Sequence, residues 1–285
     1  MAVIAPTVAT GLVDGLDMRE YRKRAALSST GIHDLLDAPC VYRYYADHPE
    51  ARKDTDASDF GSAVHAYLLE GEAAFLSRHW IAPPGFATNK TKQFAKECAE
   101  WEAAEAKGAK RISTDDYDQV RRVCDAIRAC PDAAKILDGA DATERSAFFD
   151  MDGVPCKARF DIDATEALGM IADLKVCADN NPERWGRDRY GLSRAIQASF
   201  YASGYCLASA EDVVPAFAWI VAPSEPPYTG RVWVGEPSER YEAIARREID
   251  RALAIYRKCQ KTGQWPGYGE AVRQIDPAPW MEENR

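Results

Sequence analysis

The sequence predicts an α/β fold, a mixed central sheet flanked by helices, with a helical N-terminal half wrapped around it. Two observations carry this expectation. Apolar residues follow helical spacing to about residue 130, and from residue 144 onward the period changes to two. From there the patterns run as three strands, a helix, two strands and a helix, which is the order of an α/β core.

Residues 1–26 read as an N-terminal arm and residues 27–285 as a single domain. Leu27-Ser28-Ser29-Thr30 offers hydroxyl caps to a short helix through residue 36, stopped near Pro39. A second helix is predicted over 59–69, where Phe60, Val64, Tyr67 and Leu68 form an apolar stripe with His65 beside it. Residues 83–91 read as a loop, and helices follow over 92–107 and 114–129 with Gly108 between them. Strands are predicted over 144–149 and 154–163, joined by the hairpin signal Asp152-Gly153, and a third over 169–176. A helix over 193–209, strands over 213–222 and 231–234, and an amphipathic helix over 238–262 complete the core. Trp265-Pro266-Gly267-Tyr268 opens an irregular tail.

The chain of 285 residues carries a formal charge of −9. That balance argues against indiscriminate polyanion binding by the whole surface and leaves room for a local basic groove. No apolar run approaches the ~20 residues that span a bilayer, and the opening residues lack the basic and apolar regions of a signal peptide. A cytoplasmic protein with no membrane association is expected. None of the eight cysteines forms a CxxC pair, so neither a zinc ribbon nor an iron–sulfur cluster is expected.

Strand alternation identifies the chemistry. In 156–162 the even positions Cys156, Ala158, Phe160 and Ile162 are apolar, so Lys157, Arg159 and Asp161 share the opposite face. In the next strand Ile171, Asp173 and Lys175 share a face. Pairing the two brings Asp161 near Asp173 with Lys175 one step along: two carboxylates suited to a divalent cation and an ammonium placed to orient water or stabilise a developing negative charge. A solvated sheet face with an ordinary ion pair is the competing reading of so short a pattern. Asp163 is a rival for the place of Asp161. His33, His48 and His79 have no such company and read as structural or surface residues.

Asp161…Asp173-Leu174-Lys175 resembles the signature of the PD-(D/E)xK nuclease superfamily. Gly61-Ser62-Ala63-Val64-His65 resembles the upstream helix of its RecB-like branch, and Gln197-Ala198-Ser199-Phe200-Tyr201 resembles that branch's QxxxY motif. The ordered set is similar to the exonuclease VIII (RecE)-type C-terminal nuclease domain over about residues 27–280, including Glu144-x-Ser146 and Trp265-Pro266-Gly267-Tyr268. The resemblance implies a nuclease-like core and a metal-dependent exodeoxyribonuclease acting 5′-to-3′ on double-stranded DNA ends in phage or prophage recombination. Mg²⁺, or Mn²⁺ in its place, would be held by His65, Asp161, Asp173 and the backbone carbonyl of Leu174. Lys175 would position or deprotonate water. Glu144 is either a further metal ligand, an orienting group or a surface acid.

By the same resemblance Gln197 and Tyr201 contact DNA or the scissile nucleotide; a packing role on the sheet is the alternative. Lys157 and Arg159 are candidate phosphate contacts on Asp161's face. Asn89, Lys90 and Lys92 are either DNA contacts or surface loop residues. The resemblance also implies a homo-oligomeric ring, typically a tetramer, and a single-strand annealing protein as partner. A non-catalytic DNA-binding phage protein retaining the fold, or a nuclease of other polarity or strand preference, is the competing reading.

Overall fold

The computed structural model describes residues 10–52, 56–188, 190–269 and 271–277. Expectations for residues 1–9 and 278–285 lie outside these.

Part of the segment expected as a loose arm belongs to the fold. Strand β1 (Gly11–Val13) pairs antiparallel with a central strand, and the short helix α1 (Met18–Lys23) follows, capped by the Asp17 side chain on the Arg19 amide. Two apolar residues after a glycine are too few for a periodic signal, which is why sequence reading passed over β1. Helix α2 (Ser29–Asp37) starts as expected, with Ser28 Oγ accepting from the Gly31 amide. It ends at Asp37, just short of Pro39 as expected, and Pro39 then opens α3 (Pro39–Asp47) at its first turn, where a missing amide hydrogen costs no bond.

Helix α4 (Asp56–Glu70) and α5 (Glu72–Arg78) follow, and β2 (His79–Ala82) begins a small lobe. Helix α6 (Ala95–Glu105) leads into β3 (Lys110–Ser113), which pairs parallel with β2. Helices α7 (Thr114–Ala129) and α8 (Pro131–Asp138) complete the helical half.

The sheet is built next. Strands β4 (Ala142–Met151) and β5 (Val154–Ala164) form the expected hairpin. Asp152 and Gly153 both have positive φ, 54° and 78°, as a type I′ turn requires. The short α9 (Thr165–Leu168) returns the chain to β6 (Met170–Cys177), antiparallel to β5. After α10 (Pro182–Trp185), α11 (Gly191–Ser209) crosses over to β7 (Ala216–Pro223), which lies parallel to β6. Strand β8 (Trp233–Gly235) and α12 (Glu239–Thr262) finish the core. The sheet order is β1-β4-β5-β6-β7-β8, mixed and six-stranded.

Both sheet faces are covered. On one, Leu27, Ile32 and Leu35 at α2, Phe200 of α11 and Leu253 of α12 pack on Ala158, Phe160 and Trp219. On the other, Val64 of α4 and Val123 and Ile127 of α7 pack on Ile162, Leu174 and Ile220. Gly204 permits the closest approach: a Cβ there would lie 2.5 Å from Phe149 Cζ. The tail is irregular as expected yet anchored, with Trp265 stacked on Tyr42 at 5.5 Å between ring centroids.

Candidate active site

Strand β5 changes sides in mid-course. Cys156, Ala158 and Phe160 belong to the first core cluster, whereas Ile162 and Ala164 belong to the second. The reversal falls on Asp161 and on Glu144, which lies opposite it between the Arg145–Phe160 and Thr143–Ile162 pairs. Glu144 has φ of 54°, a left-handed conformation rare for a non-glycine residue and one that collects at functional sites.

His65 of α4 reaches this kink. Its Nδ1 lies 3.5 Å from Asp161 Oδ2 and its Nε2 2.9 Å from the Leu174 carbonyl oxygen. The Leu174 amide donates to the same Asp161 oxygen at 2.8 Å. Ligand atoms of His65, Glu144 and Asp161 all lie within 4.8 Å of one another. Asp173 stands beside this group, 2 % exposed, accepting from Gln197 Nε2 at 2.7 Å on one oxygen and facing the Lys175 ammonium with the other. The face holding these residues is therefore recessed, not the solvated sheet surface of the competing reading.

The electrostatics are those of concentrated negative charge. Burial, with the adjacent Asp173 charge adding to it, pushes the Asp161 carboxyl up to about 7; His65 acts in the opposite direction. Burial alone would lower Lys175, but Asp173 and Asp161 outweigh it and its ammonium is held more tightly than usual. Burial and the Asp173 charge push Tyr201 up to about 12, so its hydroxyl stays a donor at neutral pH. An imidazole nitrogen, two carboxylates and a carbonyl around a charge surplus form a hard donor set for a divalent cation of the Mg²⁺ or Mn²⁺ class.

Gln197 and Tyr201 sit one turn apart on α11. The first bonds Asp173, and the second packs edge-on against Phe160 at 5.6 Å. Lys157 is not placed to touch phosphate. It is 8 % exposed, and its Nζ donates to the carbonyls of Tyr21, Arg22 and Arg24 at 3.0, 3.2 and 2.7 Å. Arg159 is likewise committed: Nε donates to Glu144 Oε2 at 2.6 Å and Nη1 to the Leu16 carbonyl at 2.7 Å and Ser146 Oγ at 3.1 Å. Asp163 is no rival of Asp161, being fully buried, paired with Arg145 at 2.7 Å and bonded to Thr165. Lys90 lies in a one-turn helix of the small lobe away from the cluster, and His79 stacks on Phe75 at 4.1 Å.

The group opens into a cleft of about 3230 Å³. Fourteen Lys and Arg residues line it against nine Asp and Glu, the reverse of the balance of the whole chain. Sequence reasoning missed most of this basic lining, notably Arg19, Arg22 and Lys23 of α1, because the arm carried no motif. The charge run itself, four basic residues within 19–24, was the available signal.

This fold and site define a PD-(D/E)xK-type domain. The chain belongs to the family described as PDDEXK-like domain of unknown function (DUF3799), whose model matches residues 28–276. In fold it is similar to the crystal structure of a putative exonuclease from Eubacterium rectale, with a TM-score of 0.58 and 15 % identity over 94 % of this chain and 95 % of that one. No curated protein sequence matches it.

Proposed function

We propose that the protein is a divalent-metal-dependent exodeoxyribonuclease that hydrolyses phosphodiesters at double-stranded DNA ends. The observation that carries this reading is the convergence of His65, Glu144, Asp161, Asp173 and Lys175 at the floor of one net-basic cleft. His65, Asp161, Glu144 and the Leu174 carbonyl would hold the metal, with Asp173 alongside. When bound, Mg²⁺ or Mn²⁺ would lower the pKa of the attacking water and neutralise charge on the phosphoryl oxygens.

The chain's own residues supply the rest. Asp173 orients the Lys175 ammonium, whose protons are held by two neighbouring carboxylates and can be offered to water or to a phosphoryl oxygen. Gln197 fixes the Asp173 carboxylate and leaves Tyr201 as a neutral donor toward the strand. The basic walls gather phosphates that the acidic exterior repels.

Resemblance to RecE-type domains supports 5′-to-3′ digestion, a ring of identical subunits around the duplex, and recombination with a single-strand annealing protein as partner. The test is cleavage of 5′- and 3′-labelled duplex with Mg²⁺ and with EDTA. Metal-dependent release of nucleotides from the 5′ end is expected. Binding without cleavage in either Mg²⁺ or Mn²⁺ refutes the enzyme, and release from the 3′ end refutes the polarity.

A further inference from the structure

Arg159 occupies a place that a phosphate ligand does not need. Its side chain is 14 % exposed, and three acceptors on two segments surround it: Glu144 on β4, Ser146 two residues further along β4, and the Leu16 carbonyl between β1 and α1. Glu144 is the member of the metal-ligand group with a left-handed backbone, φ of 54°, a conformation that non-glycine residues rarely adopt. Its carboxylate is held from outside: Arg159 Nε at 2.6 Å is the one cation paired with it among the described residues.

The rest of the surroundings fit that role. Leu16 lies in the chain between β1, which is paired to β4 through Gly11–Phe148, Leu12–Ala147 and Val13–Ser146, and α1, which Lys157 holds by three carbonyls. Arg145 ties the same segment down through Asp14 at 2.6 Å. The N-terminal strap is thus pinned on both sides of residue 16, and the Leu16 carbonyl is presented as a fixed acceptor. The strap packs on the core through Leu12 and the Tyr21 ring, 6.1 Å from that of Phe148. Its bonds go to the strands that carry the site.

We propose that Arg159 is a positioning residue for the metal site: anchored on the docked N-terminal strap, it holds Glu144 in the ligand group with His65 and Asp161. The inference rests on the metal-site reading above. It assigns Arg159 to the support of a ligand and withdraws it from the DNA contacts.

Mn²⁺ titration by calorimetry, without DNA, tests it on the full chain with Arg159→Met, Glu144→Gln, the double variant and Arg159→Lys. Supporting bonds of this kind change metal affinity by about 10–100-fold. Arg159→Met should weaken Mn²⁺ binding by that factor and Arg159→Lys by less, while in the Glu144→Gln background Arg159→Met should add almost nothing. Equal effects of Arg159→Met in both backgrounds overturn the proposal, because Arg159 would not then act through Glu144. So does wild-type Mn²⁺ affinity in Arg159→Met with weakened DNA binding, the result for a phosphate contact. Should Arg159→Met fail to fold, the Arg159→Lys comparison across the two Glu144 backgrounds makes the same discrimination. Wild-type protein that binds no Mn²⁺ overturns the metal-site reading itself and this inference with it.

Discussion

Replacing Gln197 with methionine removes the amide that fixes Asp173. Methionine is close to glutamine in length and volume; it lacks the Nε2 donor that lies 2.7 Å from Asp173 Oδ1 and the amide's hydrogen bond with the Tyr201 hydroxyl. Asp173 is 2 % exposed, so water cannot replace the lost donor, and Lys175 already serves the other oxygen. A hydrogen bond to a buried charged group contributes about 1.5–3 kcal/mol. Chemical denaturation of Gln197→Met should therefore show a loss of about 2 kcal/mol. The freed carboxylate also releases Lys175 from its fixed orientation, and a drop of about 10–100-fold in the single-turnover rate is expected, equivalent to about 1.4–2.7 kcal/mol of barrier. DNA affinity, read by fluorescence anisotropy in Ca²⁺, should stay unchanged. A weakened affinity with an intact rate at saturating DNA refutes this reasoning and returns Gln197 to a strand-gripping role. Unchanged stability and rate would mean that the bond to Asp173 does not form.

Three further outcomes follow from the same contacts. Asp161 holds its proton more tightly in the folded protein than in the unfolded chain, so in metal-free protein its contribution to stability is greatest at acid pH and is lost as pH rises through about 7. Metal must displace that proton: Mn²⁺ affinity should fall about tenfold per pH unit below about 7, and Asp161→Asn should lose the metal and the Asp161 share of the pH dependence of metal-free stability, measured by calorimetry and thermal melts. Lys157→Met leaves the carbonyls at the end of α1 without their donor, and tryptic cleavage within 22–24 should accelerate about tenfold; unaltered proteolysis with weaker DNA binding would favour a phosphate contact. Gly204→Ala forces a Cβ into the Phe149 ring and should cost about 1–3 kcal/mol by denaturation, with no change in Mn²⁺ affinity.

The parts of the fold that were legible in the sequence are those with long periods or exact turn chemistry. The hairpin at Asp152-Gly153, the helix 193–209 and the amphipathic helix 238–262 all appear within a few residues of their expected bounds. Strand alternation placed Asp161 and Asp173 on facing positions of neighbouring strands, where the structure also has them close together, and the i, i+4 spacing put Gln197 and Tyr201 on one helix face. The partners were not legible. The committed state of Lys157 and Arg159 depends on carbonyls of residues 16–24, more than 130 positions away in the chain, and no local pattern announces a long-range bond to a backbone acceptor. The burial of Asp173 was hidden for a related reason: alternation separates two faces of a sheet but does not say whether a helix, here α11, covers the polar one.

The kink at Glu144 and Asp161 explains how a buried sheet can carry a site at all. A sheet covered on both faces has no exposed row of side chains, and an unbroken alternation along β5 would place Asp161 and Asp163 together under one layer of helices. Instead the strand hands its apolar positions from one core to the other between Phe160 and Ile162. At the crossing α4, bearing His65, and α11, bearing Gln197, approach from opposite sides. Asp163, one step past the crossing, is drawn into a fully buried pair with Arg145 and plays a structural part, although it is the same residue type two positions from Asp161. The left-handed Glu144 is what this reversal requires of β4, and it brings a third acidic or imidazole ligand atom within 4.8 Å of the other two. Local strain, change of face and ligand convergence are thus one feature. Replacing Glu144 by glycine would relieve the first and keep the second, leaving His65 and Asp161 without their third partner.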